Sequence, residues 1–185
     1  MTRARHALLL AFALAASVTL GGCDLLSSDD DRAPDAELIL GAWTGTSINV
    51  RADTNSPLGT ISLPFPGADA SAATAEFSAS SATLGFDPDD DAEFNIKQLN
   101  FSIPLPNEVS VSGTYRLDTD AAQLVLSRPE IEGGELRLGY ALRSETSLEI
   151  IAEDAAAFAS LFGFIGGDAE ALAGIVSGGS IRYTK

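Results

Sequence analysis

The chain has 185 residues with 26 acidic and 11 basic side chains, a formal net charge of −15 at pH 7, one histidine and one cysteine. A surface this acidic repels a phosphate backbone, which argues against nucleic acid as a partner. His6 and Cys23 both lie near the start, so the rest of the chain has no imidazole or thiol for Ser-His-Asp or Cys-His catalysis and lacks the usual zinc and haem ligands. No cofactor and no enzymatic activity are expected.

In chain order, Arg3 and Arg5 precede an apolar run over residues 7–20 and the small pair Gly21 and Gly22. This is the layout of a secretory signal, too short to span a bilayer. The next four letters complete the pattern. "LGGC", residues 20–23, resembles the lipobox of bacterial lipoproteins, which implies that Cys23 is acylated and becomes the mature N-terminus. Lipidation also explains a single cysteine in an oxidising compartment, where a disulfide would need a partner. The resemblance implies two or more acyl chains, enough for stable anchoring. Loss of residues 1–22 leaves 9 basic against 26 acidic side chains, a net charge of −17.

Asp24 leaves inner and outer membrane both open; the expected place is the outer membrane, facing the periplasm. Residues 23–36, including "SSDDDRAPD", are polar, charged and interrupted by proline, and read as a disordered tether. The expected organisation is therefore a signal peptide over 1–22, a lipidated tether over 23–36 and one domain over 37–185.

Beyond the tether the dominant period is two, that of half-buried strands. Strands are expected over 39–50, 74–78 and 82–86, with an edge strand or loop over 58–65 because Pro57, Pro64 and Pro66 cannot serve a central strand. Phe94 and Ile96 stand in even phase, whereas Leu99, Phe101, Ile103 and Leu105 stand in odd phase. A β-bulge near Lys97 and Gln98 would switch the face. Val109, Val111, Gly113, Tyr115 and Leu117 then begin a meander of four strands, continued by 122–127, 136–143 and 148–151, and a last strand is expected over 181–184. The fold expected is all-β, an antiparallel up-and-down barrel of 8–10 strands, since closure removes exposed edges.

Residues 154–176, "DAAAFASLFGFIGGDAEALAGIV", interrupt this period with apolar residues at helical spacing: Phe158, Leu161, Phe162 and Ile165, then Leu172, Ile175 and Val176. Asp154 and Asp168 are the expected N-caps, and Gly166 and Gly178 the expected stops. This short helical insert before the last strand is expected to plug or brace the barrel. A lid or a hairpin resting on the membrane is less compatible with its flanking acids.

"LILGAWTGTSINV", residues 38–50, carries Gly41, Ala42 and Trp43, and with "VSGTYRLDTDAAQLVL" and "GGSIRYTK" it resembles bacterial lipocalin-like lipoproteins. The resemblance implies a barrel whose floor is closed by Trp43 with Arg182 packed over it; the meander, with Phe101, Tyr115 and Tyr140 on inward faces, suggests a hollow that binds a small apolar ligand against these aromatics and Trp43. A barrel of eight strands can also be filled by its own side chains. Two functions follow: a membrane-anchored carrier of a small hydrophobic molecule, or a filled scaffold offering residues 57–66 and the helical insert to an envelope partner of unknown identity. In "DPDDDAEF", Asp87, Asp89 and Asp91 have the first spacings of a calcium loop, but Ala92 stands where the turn needs glycine and Gln98 where a bidentate glutamate belongs. The reading preferred is an acidic hairpin turn without metal, with calcium at Asp87, Asp89 and Asp91 as the alternative.

Overall fold

A computed structural model describes residues 34–53, 60–66, 68–97, 100–127, 134–164 and 166–185. The expected signal peptide, Cys23 and most of the expected tether lie outside these residues. Residues 34–185 form one unit. The chain enters it through a short helix α1 (Asp35–Leu38), so the last two residues assigned to the tether are helical instead.

Strand β1 (Gly41–Asp53) buries Trp43, Gly45, Ile48, Val50 and Ala52 while exposing Thr44 and Thr46. The inward phase shifts by one between Gly45 and Ser47, where the register against the final strand slips, as an extra residue in a bulge requires. After β2 (Thr60–Pro64) come a 3₁₀ turn (Ala70–Ala72), β3 (Ala73–Phe77) and β4 (Ser81–Phe86), then a small hairpin of β5 (Glu93–Ile96) and β6 (Phe101–Pro104). The meander is β7 (Val109–Asp118), β8 (Gln123–Ser127), β9 (Glu135–Ser144) and β10 (Ser147–Ala152). Helices α2 (Ala155–Leu161) and α3 (Gly166–Ala173) precede β11 (Val176–Thr184).

Antiparallel pairing runs β1-β3-β4-β7-β8-β9-β10-β11, and β11 returns to β1, closing a barrel of eight strands. The end strands meet along most of their length, from Thr44 opposite Thr184 to Ala52 opposite Val176. Strand β2 lies outside the closed ring. It pairs with the second half of β1, Asn49 to Asp53, beyond the point where the β1–β3 ladder ends at Thr44. It is thus the edge strand its prolines require.

The bulge expected at Lys97 and Gln98 is replaced by the β5–β6 hairpin; Gln98 and Leu99 lie outside the described residues. Phe94 stands opposite Ile103 and Ile96 opposite Phe101, so even positions of one strand and odd positions of the other share a face. A chain reversal changes the phase as a bulge would. Of this set Phe94, Ile96 and Ile103 are buried, as is Leu105 just beyond.

The insert is helical, with four differences from its expected boundaries. Asp154 caps α2, its carboxylate accepting the Ala157 amide at 2.7 Å. Asp168 lies inside the first turn of α3 and does not cap it; Gly166, at φ +58, opens that helix and does not stop the preceding one. Val176 begins β11, and Gly178 lies within that strand at φ +142. A Cβ at Gly178 would lie 2.4 Å from the Ala152 carbonyl oxygen, so both backbone angle and space require glycine.

Candidate functional site

The barrel has two dissimilar ends, called here upper and lower. At the upper end, where β1, β4 and β10 finish, seven of the chain's nine phenylalanines form one connected cluster: Phe65, Phe86, Phe94, Phe101, Phe158, Phe162 and Phe164. Phe162 stacks on Phe65 at 4.8 Å and meets Phe86 edge-on at 4.9 Å, and Phe158 lies 4.6 Å from Phe162. Offset and edge-on pairs of this kind stabilise beyond the area they bury. Phe158 is fully buried against the inward face of Gly179; a Cβ there would come within 2.7 Å of its ring. Glycine makes the space that lets α2 plug the mouth.

Below the plug, Leu84, Val111, Leu124, Leu126, Leu138 and Ile150 fill the interior, each at most 2% exposed. Five recesses of the described residues, about 220 to 330 Å³, open to solvent, and none of the five is lined by this aliphatic layer.

The four residues expected to line a ligand cavity do not converge on one. Phe101 belongs to the separate β5–β6 hairpin, opposite Ile96, with its ring 6.2 Å from Phe94. Tyr115 is half-buried at the lower rim, edge-on to Phe77 at 5.4 Å, and its hydroxyl donates to the Ser78 carbonyl at 3.0 Å. Burial raises its pKa. Tyr140 is buried and its hydroxyl donates to Asp35 Oδ2 at 3.0 Å. Trp43, 1% exposed, donates its indole N–H to the Ile39 carbonyl at 2.7 Å.

Trp43 does lie at the barrel floor, but the cation over it is Lys185, with Nζ 4.4 Å from the ring centroid, in place of the expected Arg182. The reason is the period of two. Ile181 and Tyr183 point inward, so Arg182 between them points outward, where it reaches Glu149. Lys185 Nζ also donates to the Leu38 carbonyl at 2.6 Å. Three ties thus fasten α1 across the floor: Lys185 to Leu38, Trp43 to Ile39 and Tyr140 to Asp35.

Beside this latch, Tyr183 is 1% exposed and its hydroxyl has no hydrogen-bond partner among the described residues. Burial drives its pKa up, so the phenol stays protonated. An unpaired buried hydroxyl costs roughly 1–3 kcal/mol. The substitution Tyr183→Phe is therefore expected to leave the protein as stable or about 1 kcal/mol more so by urea denaturation; a clear loss of stability would reveal a partner for the hydroxyl.

On the outer wall, Glu149 is 7% exposed, an acid in a strand of apolar neighbours. Its Oε2 accepts Arg143 Nη2 at 2.6 Å and Nε at 3.1 Å, and its Oε1 accepts Ser180 Oγ at 3.1 Å and Arg182 Nε at 3.4 Å. Burial, the largest influence, raises the Glu149 pKa. The combined hydrogen bonds from Arg143 and Ser180 and the charges of Arg182 and Arg143 outweigh it and leave the pKa lowered. A depressed carboxylate stabilises the fold fully above its unfolded pKa and loses that contribution as pH falls through its folded value. Glu149→Gln is thus expected to cost about 1–2 kcal/mol at pH 7, the lower part of the range for charged hydrogen bonds because both guanidinium groups are more than half exposed. The penalty should shrink as the pH falls below the ordinary glutamate range and through the depressed folded value. Urea midpoints at neutral and acid pH check both signs.

Among the described residues no three His, Cys, Asp or Glu side chains gather closely enough to hold a metal ion, Asp87, Asp89 and Asp91 included. Asp91 takes a left-handed conformation at φ 65, in the turn entering β5.

Glu149, Lys185 and Asp35 are the site residues that sequence reasoning missed. A lone glutamate inside "SLEII" was the available signal for the first. No comparable signal marks the others, whose partners are remote in sequence. No protein-family model, curated protein or solved structure matches this chain.

Proposed function

We propose that this protein is a bacterial envelope lipoprotein, anchored through acylated Cys23, whose barrel is a solid scaffold for a protein partner and not a carrier. The observation that carries the choice is the interior: Phe158 and Phe162 plug the upper mouth over a packed aliphatic layer. The lipocalin-like reading of Gly41-Ala42-Trp43 is kept for the architecture, with Lys185 in the role of the floor cation. The outer membrane, periplasmic side, remains the proposed location, and no enzymatic activity is proposed.

The entry of the chain at the lower end supports an orientation. Ten residues separate Cys23 from Pro34, a reach of at most about 35 Å. With α1 fastened to the floor, the lower end lies nearest the lipid. Asp87, Asp89, Asp90, Asp91 and Glu93 follow β4 at the upper end and are repelled from an anionic lipid surface. The upper end, with β2, the β5–β6 hairpin and the two helices, is the surface offered to a partner.

Palmitate labelling and membrane fractionation of Cys23→Ser test the anchor. The variant should lose both label and sedimentation with membranes, and a variant that still sediments would remove the anchoring claim. A photo-crosslinking amino acid at Asp90 should capture a protein in intact cells, and one at Glu145 should yield lipid adducts. Recovery of a tightly bound small molecule by native mass spectrometry, with no crosslinked protein, would restore the carrier reading.

A further inference from the structure

We propose that the outer wall carries a binding recess for a small oxyanion, a carboxylate or phosphate group, centred on Arg51. The recess, about 220 Å³, is lined by Asn49, Arg51, Ser62, Glu149, Ile151, Gly179 and Ser180. Four strands build it. Asn49 and Arg51 point outward from β1, Ser62 stands opposite Arg51 on β2, and Ser180 stands opposite Asn49 on β11. The absent side chain of Gly178 gives the guanidinium a place to lie; a Cβ there would come 2.5 Å from Arg51 Nη2.

The state of Arg51 is the second observation. In a chain with 26 acids, Arg116, Arg137, Arg143 and Arg182 each meet a carboxylate. Among the described residues Arg51 meets none. Its Nη2 is held instead by the Ala152 and Glu153 carbonyls, at 3.0 and 3.1 Å. Those bonds fix the plane of the group while Nε and Nη1 remain without a partner among the described residues. A guanidinium already oriented in this way loses little freedom on meeting a bidentate oxyanion. The Asn49 amide and Ser62 hydroxyl, which make no side-chain hydrogen bond among the described residues, add donors beside it.

Glu149 also borders the recess, but both its oxygens are engaged by Arg143, Arg182 and Ser180. Its charge is matched by two guanidinium groups. The Glu153 carboxylate lies towards Gly139, with Oε1 3.4 Å from where a Cβ would stand there. The recess therefore presents a positive charge and neutral donors in an otherwise acidic molecule. This proposal does not depend on the anchoring or scaffold reading: the recess opens on the outer face of the wall, with Gly179 between it and the Phe158 ring of the plug, and its test reads anion binding alone.

The test is an NMR titration of the ¹⁵N-labelled full chain in detergent with sodium acetate, inorganic phosphate and, at matched ionic strength, sodium chloride. The Arg51 Nε–H, the Asn49 side-chain amide and the Ser62 and Ser180 backbone amides should shift together and saturate with acetate or phosphate but not with chloride. Saturation by acetate alone assigns a carboxylate ligand and by phosphate alone a phosphate; either supports the site. Arg51→Lys keeps the charge but loses the fork, and should weaken binding by about tenfold or more. Because that change also removes the bonds to the Ala152 and Glu153 carbonyls, Ser62→Leu on the exposed edge strand provides a second variant that fills the recess and should also weaken binding. Linear shifts indistinguishable from those with chloride, or saturation unchanged in both variants, would overturn the proposal.

Discussion

Phe158→Ala should lower the stability of the barrel by about 3–5 kcal/mol, the usual cost of removing a fully buried phenylalanine ring. For a domain of this size that corresponds to a fall in Tm of roughly 10 °C or more. The position is extreme because Phe158 has no exposed surface and its ring touches Phe65, Phe94 and Phe162 at once. Its loss leaves a void between α2 and Gly179 that neighbours cannot close without moving the helix. The void has a functional readout: an apolar fluorescent dye should ignore the wild-type barrel and bind the variant. Equal dye binding by both would mean that the interior was open from the start, and the scaffold reading would fail with it. Thermal unfolding and dye titration on the same samples separate loss of stability from gain of a cavity.

Trp43→Ala should have the second largest effect, again about 3–5 kcal/mol, but its signature is local to the other end. Removing the indole takes away the ring under Lys185 and the donor to Ile39 together. The segment 34–40 should then become sensitive to limited proteolysis, because two of the three ties that hold it involve residue 43 or the cation above it. Trp43→Phe isolates the polar part. It keeps an aromatic face for Lys185 and loses only the N–H bond, so a cost of about 1 kcal/mol is expected. If the proteolytic pattern of Trp43→Ala matched that of the wild type, α1 would be held by Tyr140 and its own packing alone.

These two residues also show what the sequence could and could not convey. Strand positions were legible because burial on one face of a sheet imposes a period of two, and the meander from β7 to β10 follows that period closely. Phe158 was legible as part of a helical stripe, and so was the plug. The β5–β6 hairpin was not, because a turn and a bulge produce the same change of phase. Helix ends were misplaced where glycines serve other needs: Gly166 opens a helix and Gly178 clears space for the Ala152 carbonyl and Arg51. The cation on Trp43 could be expected from the floor of a closed barrel, but choosing Lys185 over Arg182 required counting inward and outward positions back from Tyr183. Arg51 gave no signal in the sequence, since its distinction is a missing carboxylate in three dimensions.

Closure between β1 and β11 also governs how the molecule must assemble. Contacts across that seam join residues 136 positions apart, as Thr46 and Arg182 are, and the latch joins positions 147 apart. The hairpins of the meander form from near neighbours, whereas the seam carries the entropy of closing nearly the whole domain into a loop. High contact order of this kind slows folding. The first strand must wait, unmatched along one side, until the last has been made.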